Sequence, residues 1–183
     1  MKIVVGITGS SGAVYALDFL KKSKSDKFLI VSKWGKALLK DELKMEEADL
    51  HPFVKRQFDD KDLTAPVASG SNFFDAFVII PCSTSTIGKI ASGVGDTLIT
   101  RTAQFALKER YKLILCVRET PLSTLTLEQL GKLSGYGAVV MPISSPMYFV
   151  PETVAEYIGA YTEKVLGVIG EKRGRGWKAE EFE

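Results

Sequence analysis

The amino-acid sequence predicts an α/β protein built on one doubly wound parallel sheet. Short, nearly continuous apolar runs alternate along the chain with segments of helical periodicity. This alternation is typical of parallel strands that are joined by crossover helices and buried on both faces. The chain has 183 residues, 45% of them hydrophobic, which is enough for one domain with a buried core.

The elements follow one another in a regular order. Strands are expected at residues 2–8, 28–31, 76–80, 112–117 and 138–141, and helices at 13–22, 33–42, 84–91, 98–109, 124–134 and 151–169. Ser32 is expected to cap the second helix, and Pro151 to open the last one, where its missing N–H is not needed. Residues 46–75 are polar and rich in turn residues, so they predict a long, partly ordered connection of the kind that is often functional.

This pattern predicts a Rossmann/flavodoxin-like three-layer sandwich over residues 1–170, with a charged C-terminal tail at 171–183. The net charge of +2, without a long basic run, gives no indication of nucleic-acid binding. The first residues form neither a signal peptide nor a membrane span. Cys82 and Cys116 lie in or beside apolar runs and are interpreted as reduced core thiols of a cytoplasmic protein.

A glycine-rich turn follows the first predicted strand. Residues 6–12 read Gly-Ile-Thr-Gly-Ser-Ser-Gly, with a glycine spacing that differs from the dinucleotide-binding fingerprint. Gly9, Ser10 and Ser11 stand before a helix, whose free backbone amides favour an anion such as a flavin or nucleotide phosphate. The alternative is a plain strand-to-helix turn.

Four hydroxyl side chains follow the middle strand. They are contributed by Ser83, Thr84, Ser85 and Thr86. Such groups donate hydrogen bonds to a phosphate or to the polar edge of a flavin, but they serve equally well as helix caps. The sequence leaves both interpretations open.

Charged residues follow the strand at 112–117. Arg118 and Glu119 come directly after apolar residues, where an unpartnered charge is costly if it is buried. The carboxyl ends of parallel strands meet at one sheet edge, so three polar strand ends predict a site for a phosphorylated ligand there.

Arg101 and Lys108 are seven residues apart and share a helix face. For Lys108, compensation of the helix dipole is an ordinary alternative.

Tyr148 precedes the last helix, and Lys164 lies within it. With a helix starting near Pro151, Lys164 is roughly 20 Å along the axis, so a ligand that binds both residues is best explained by a site shared between subunits. Taken alone, Lys164 is a solvated lysine. His51 is the single histidine, and the sequence contains neither a metal-ligand cluster nor a Ser-His-Asp set.

Together these motifs resemble the flavin prenyltransferase family (UbiX/Pad type) over about residues 2–170. The matching segments are residues 6–12, 31–33, 68–71, 81–83, 98–101, 106–110, 117–122, 141–142 and Tyr148. The order and spacing of these segments make the resemblance specific. It implies that reduced FMN is alkylated at N5 by dimethylallyl phosphate without a metal, that ring closure occurs at C6, and that the prenylated FMN serves a UbiD-type decarboxylase.

The resemblance also implies roles for individual residues. FMN would be bound by Gly9, Ser10, Ser11, Ser32, Ser83, Thr84, Ser85, Thr86, Arg101 and Arg118. Dimethylallyl phosphate would be held by Lys108, Arg118, Tyr148 and Lys164. Glu42 and Glu119 would be the acid/base carboxylates, with Ser11 beside them. Members of the family are typically dodecamers with sites at subunit junctions.

The sequence departs from the family pattern at four places. Phe149 and Val150 stand where many members have His-Arg, and Asn72 stands where an aromatic residue is frequent. Residues 123–126 contain no histidine, although histidines are common there in the family. Lys164 stands where several members have arginine. These departures bear on the preference for the prenyl donor more than on flavin binding. Two alternatives share the fold: a non-catalytic FMN carrier, and an FMN-dependent cysteine decarboxylase, which would require a catalytic histidine.

Overall fold

A six-stranded parallel sheet forms the centre of the computed structural model, which describes residues 1–148, 150–171, 176 and 178. The strands are β1 (Lys2–Ile7), β2 (Asp26–Val31), β3 (Arg56–Asp59), β4 (Ala76–Cys82), β5 (Lys112–Val117) and β6 (Val139–Pro142). Their spatial order is β3-β2-β1-β4-β5-β6, with every pairing parallel. This is the Rossmann order, in which the two halves of the sheet diverge between β1 and β4.

Helices cover both faces of the sheet, which confirms the predicted fold class. They are α1 (Ala13–Lys22), α2 (Lys33–Leu43), α3 (Thr84–Ala91), α4 (Leu98–Glu109), α5 (Thr124–Gly135) and α6 (Val154–Ile169). One apolar cluster joins α3, α4 and α5 to the sheet, and the other joins α1, α2 and α6 to its opposite face. Both cysteines are free and buried. In the described residues, no helix combines the length and hydropathy needed to cross a membrane.

The structure differs from the predicted elements most at two places, a missed strand and the start of the last helix. The connection at 46–75 contains a strand, β3, which pairs with β2 at the sheet edge, and two short 3₁₀ helices, Glu47–Phe53 and Pro66–Ala68. The last helix begins at Val154, because the Thr153 side chain caps it by accepting from the Glu156 N–H at 3.1 Å. Pro151 therefore precedes the helix and does not open it.

Helix α2 passes over the carboxyl edge of the sheet at very short range. A Cβ atom added to Gly35 would lie 2.5 Å from the main-chain oxygen of Ile7, at the end of β1. The Ser32 hydroxyl caps the helix as predicted, accepting from the Gly35 N–H at 3.0 Å. The close contact at Gly35 thus fixes the start of α2 against the strand end.

We expect Gly35→Ala to lower the free energy of unfolding by about 1–3 kcal/mol, because a main-chain oxygen cannot move aside for the new methyl group. Gly131→Ala is the matched control: Gly131 is also helical, and a Cβ atom there meets nothing within 4 Å. That control should gain up to about 1 kcal/mol from helix propensity. Urea denaturation of both variants is the measurement, and equal effects at the two sites would contradict the steric explanation.

The end of α6 is attached to the end of α1 through Glu171. Its carboxylate accepts hydrogen bonds from the hydroxyls of Ser23 (2.7 Å) and Ser25 (3.0 Å) and from the Lys24 and Ser25 N–H groups. Burial alone would raise the pKa of Glu171, but these hydrogen bonds outweigh it and the pKa lies below its ordinary value. The predicted boundary between domain and tail at 170/171 stays a prediction, since most later residues lie outside the described ones.

Glu171→Gln is expected to cost about 1 kcal/mol of stability at pH 7, because a partly exposed carboxylate loses charge-assisted hydrogen bonds. A carboxyl group with a lowered pKa in the folded state stabilises above its unfolded pKa and loses that effect as pH falls through the folded pKa. The difference between the wild type and the variant should therefore be constant from pH 7 to about 5 and shrink below the ordinary glutamate pKa of 4.5. Thermal unfolding across pH, with exposed Glu128→Gln as control, measures it; a difference unchanged at pH 3 would refute the carboxylate's role.

Candidate functional site

Hydrogen bonds between strand ends shape the carboxyl edge of the sheet. The Thr8 hydroxyl, after β1, donates to the Pro81 carbonyl and accepts from the Ser83 N–H, both at 2.8 Å. The Ser10 hydroxyl donates to the main-chain carbonyl of Arg118 at 2.5 Å. The ends of β1, β4 and β5 are thereby joined where the strand order reverses, which is where open α/β sheets bind ligands.

A cleft of about 230 Å³ opens at this edge. The amino termini of α2, α3 and α4 point into it, each capped by a hydroxyl side chain, those of Ser32, Ser83 and Thr97. Its lining consists mainly of hydroxyl and charged residues: Thr8, Gly9, Ser32, Lys33, Trp34, Asp60, Ser83, Ser85, Thr86, Lys89, Thr97, Ile99 and Thr100. The amino termini of α2 and α3 create a positive potential that suits a phosphate group, whereas at α4 the N–H groups of Leu98 and Ile99 already donate to Asp60.

The hydroxyls after β4 have a structural role that the sequence left open. The Ser83 hydroxyl accepts from the Thr86 N–H at 3.3 Å and lies 3.0 Å from the Thr86 hydroxyl, so Ser83 caps α3. Capping leaves hydroxyl hydrogens on this side of the cleft able to donate to a ligand. The two interpretations are therefore compatible in the structure.

Glu42 occupies the amino terminus of α1. Its carboxylate accepts hydrogen bonds from the N–H groups of Gly12 (2.9 Å) and Ala13 (2.8 Å). The expectation that these amides are free for a flavin phosphate is thus wrong, because the anion that binds there is a side chain of the protein. The same contact places Glu42 beside Ser11, as the resemblance implied.

Arg118 and Glu119 are exposed. The prediction that these two charges are buried and need partners is therefore wrong for the single protomer. A Cβ atom at Gly12 would lie 4.0 Å from the Arg118 Cγ, and Glu119 accepts from the Thr120 N–H at 3.0 Å. Burial raises the pKa of Tyr15, on the first turn of α1, and the nearby charge of Arg118 partly offsets that rise. Glu42 and Arg118 therefore both lie beside the loop at residues 9–12, and Glu119 follows Arg118 in the chain.

Arg101 and Lys108 share a face of α4, as predicted. The Arg101 guanidinium lies 5.4 Å and the Lys108 Nζ 5.3 Å from the centre of the Phe105 ring between them. Lys108 is ion-paired with Glu109 at 2.7 Å in the last turn, just before β5 begins. It therefore lies at the amino edge of the sheet, opposite the cleft, and neither cation lines the cleft of its own protomer.

Tyr148 and Lys164 belong to the loop after β6 and to α6. Tyr148 is 44% exposed, and the loop is fastened to α6 by the Ser145 hydroxyl, which donates to the Tyr157 carbonyl at 2.6 Å. Since α6 begins at Val154, Lys164 is about 15 Å along the helix, less than the sequence suggested. Phe149 lies outside the described residues. One protomer thus places Lys164 and Lys108 away from its own cleft.

Several cleft residues were not predicted from the sequence. Asp60, at the carboxyl end of β3, accepts from the Ile99 N–H at 2.9 Å, and burial raises the pKa of its carboxyl group. Lys89 pairs with Asp96 at 2.7 Å, and the Trp34 indole stands 67% exposed at the rim. The acidic pair at 59–60, directly after buried Phe58, was the available signal for Asp60.

Among the described residues, no group of three His, Cys, Asp or Glu side chains is placed to hold a metal ion.

A family model described as "Flavoprotein" matches residues 1–166. The flavin prenyltransferase UbiX of Thermoplasma acidophilum is 40% identical over 171 residues, 93% of this chain and 95% of that protein. The flavin prenyltransferase LpdB of Lactiplantibacillus plantarum is 37% identical over 98% of this chain and 99% of its own. The chain belongs to the flavin prenyltransferase family.

Solved structures of related proteins agree with this assignment. AnUbiX (PadA1), crystallised with FMN and dimethylallyl pyrophosphate, has a TM-score of 0.90 at 32% identity, covering 97% of this prenyltransferase-family chain and 98% of its own. A dodecameric FMN-dependent UbiX-like decarboxylase from Escherichia coli O157:H7 has a TM-score of 0.92 at 33% identity, covering 97% and 99%. One of these proteins is named a decarboxylase, and the reaction of this family member depends on the residues of its own site.

Proposed function

We propose that this protein is a flavin prenyltransferase, which transfers the dimethylallyl group of dimethylallyl phosphate to N5 and C6 of reduced FMN. The observation that carries the proposal is the cleft at the amino termini of α2 and α3, next to a second group of charged residues around the loop at 9–12. A flavin carrier needs only the first of these two sites. The reaction needs both, because donor and acceptor each bring a phosphate.

The cleft suits the FMN phosphate by the chemistry of its donors. Ser32 and Ser83 start helices there, and Lys33 adds a positive charge. Backbone amides and hydroxyls at helix starts bind phosphate without burying a protein charge. The proposed contacts of Gly9, Ser10 and Ser11 with FMN lie on the adjoining loop, and the Arg118 side chain approaches that loop at Gly12.

The remaining groups supply charge and proton transfer to the second substrate. The allylic C–O bond breaks with the departure of inorganic phosphate, and cations such as Arg118, aided by the Tyr148 phenol, stabilise the charge that develops on it. Glu42 and Glu119, together with Ser11, are proposed to move protons at the flavin. Reduced flavin supplies the nucleophile, while the protein supplies position and electrostatics.

We assign Lys108 and Lys164 to the site of a neighbouring subunit. Within one protomer they lie away from the loop at 9–12, yet the resemblance gives both a role at the phosphate of the prenyl donor. A surface beside Tyr148, formed by Met147, Val150 and Val154, is apolar and 63–76% exposed, which favours burial against another copy. This supports sites at subunit junctions in a dodecamer, and the relative from Escherichia coli O157:H7 is dodecameric.

The recipient of the product is proposed to be a UbiD-type decarboxylase, on the resemblance alone. The two free, buried thiols suit the reducing cytoplasm as its place of action. The alternative of a cysteine decarboxylase with a catalytic histidine is disfavoured, because His51 is exposed on the 3₁₀ helix Glu47–Phe53 and does not line the cleft.

Anaerobic incubation of the protein with reduced FMN and dimethylallyl phosphate, followed by mass spectrometry of the released flavin, tests the proposal. A flavin heavier by one five-carbon prenyl unit is expected, and a reaction without the prenyl donor is the control. FMN that binds but is never alkylated, with the diphosphate donor as well, would refute the transferase and leave the carrier.

A further inference from the structure

We propose that Trp34 is a flavin-contacting residue, whose indole covers one face of the isoalloxazine ring at the rim of the cleft. This inference rests on the proposed binding of FMN. Trp34 lies in the first turn of α2, two residues after the cap Ser32, and is the one aromatic residue among those lining the cleft in the described part of the chain. Its indole is 67% exposed, a large apolar surface left in water by the protomer.

Close contacts with neighbouring residues fix the Cβ end of Trp34, while its indole ring remains exposed to solvent. A Cβ atom at Gly9 would lie 2.4 Å from the Trp34 Cβ, so only glycine at position 9 lets the base of the tryptophan pack onto the loop. Gly35, the next residue, packs equally tightly on the Ile7 carbonyl. The root of the side chain is therefore held from two sides, while its ring projects to the rim.

The size of the cleft favours a position for the flavin ring system beside Trp34, at the rim. Pockets that enclose a drug-sized ligand or cofactor have volumes of about 300–1,000 Å³, and this cleft has about 230 Å³. The helix amino termini inside it suit the phosphate end of FMN, so the ring system extends over the rim. There a flat aromatic partner offers an offset-stacked contact.

The charge beside the indole suits the same ligand. The Lys33 Nζ lies 5.4 Å from the centre of the Trp34 ring, on one of its faces. A ring has two faces, so the other remains for the flavin. A cation held on the indole also adds positive charge at the mouth of the phosphate cleft.

The experiment measures FMN affinity and tryptophan fluorescence in a Trp177→Phe background, which leaves Trp34 as the single tryptophan. FMN should quench the emission of Trp34, and Trp34→Ala should raise the Kd for FMN about tenfold, the order expected from losing a stacked aromatic contact. Trp34→Phe, which keeps a stacking ring, should recover most of that loss. Tyr136→Ala removes a 52% exposed aromatic that lines a different groove and not the cleft, and it should leave the Kd unchanged.

The outcomes separate this inference from the proposed function. If FMN binds and Trp34→Ala keeps the wild-type Kd, or if the emission of Trp34 is not quenched, the contact with Trp34 is refuted while the flavin site stands. If the Trp177→Phe protein and the wild type both fail to bind FMN, the proposed function fails first. A tenfold loss shared by Tyr136→Ala would also overturn the inference, because it would indicate a general loss of structure.

Discussion

Glu119→Gln is expected to lower the rate of flavin prenylation by a factor of about 10²–10⁴, the usual contribution of a positioned acid or base. Glutamine keeps the size and polarity of the side chain but cannot accept and release a proton. Glu119 is exposed in the protomer and its one described hydrogen bond is to the N–H of Thr120, so the fold should be unaffected. A single-turnover anaerobic assay with mass spectrometry measures the rate, and flavin fluorescence measures FMN binding.

The matched control is Glu128→Gln, which makes the same change on the exposed surface of α5. It should leave both rate and affinity unaltered. If Glu119→Gln retains the wild-type rate, Glu119 has no part in proton transfer. If the variant loses FMN binding together with the rate, Glu119 acts in cofactor binding and the catalytic assignment is wrong.

Lys108→Ala should slow prenylation by a factor of about 10²–10³, because a cation that meets the departing phosphate is lost. Lys108 lies at the amino edge of the sheet, so this effect is expected only if a neighbouring subunit delivers it to the site. Lys132→Ala is the control: Lys132 lines the same groove of about 490 Å³ as Lys108, at the same edge. The same single-turnover assay measures both variants.

Co-expression of Lys108→Ala with Glu119→Gln tests whether a site is shared between subunits. If the two residues reach one site from different subunits, random mixing leaves about a quarter of the sites with both intact, and activity returns to about that level. If one subunit provides both, no site in the mixture is complete and activity stays at the level of the single variants. The second result would refute the placement of Lys108.

Sequence reasoning succeeded where local pattern and tertiary contact agree. The bounds of α3, α4 and β5 match the predicted ones, since each begins and ends at a clear change of polarity or at a hydroxyl cap. Strand β3 was missed because its four residues include one buried side chain, Phe58, and its pairing with β2 is non-local. An edge strand of this kind has too little periodicity to be distinguished from a loop.

The sequence allowed prediction only of those site residues that directly follow a buried strand. Loop 9–12, Ser32 and Ser83 follow buried strands and were found by that rule. Asp60 was missed although the acidic pair after buried Phe58 marked it, whereas Lys89 reaches the cleft through folding of a distant segment, for which the sequence holds no local signal. The Glu42 carboxylate at the start of α1 is a tertiary contact across thirty residues, and no motif near Gly12 announces it.

The bond from the Ser10 hydroxyl to the carbonyl of residue 118 has a consequence for how this protein can diverge. Its acceptor is a main-chain oxygen, which every amino acid possesses. Exchanges at position 118 can therefore alter the charge offered to a substrate without loosening the two loops from each other. The contact between the two loops and the charge of the side chain at position 118 can therefore change independently in evolution. Related proteins can acquire a preference for another prenyl donor while the loops keep their arrangement.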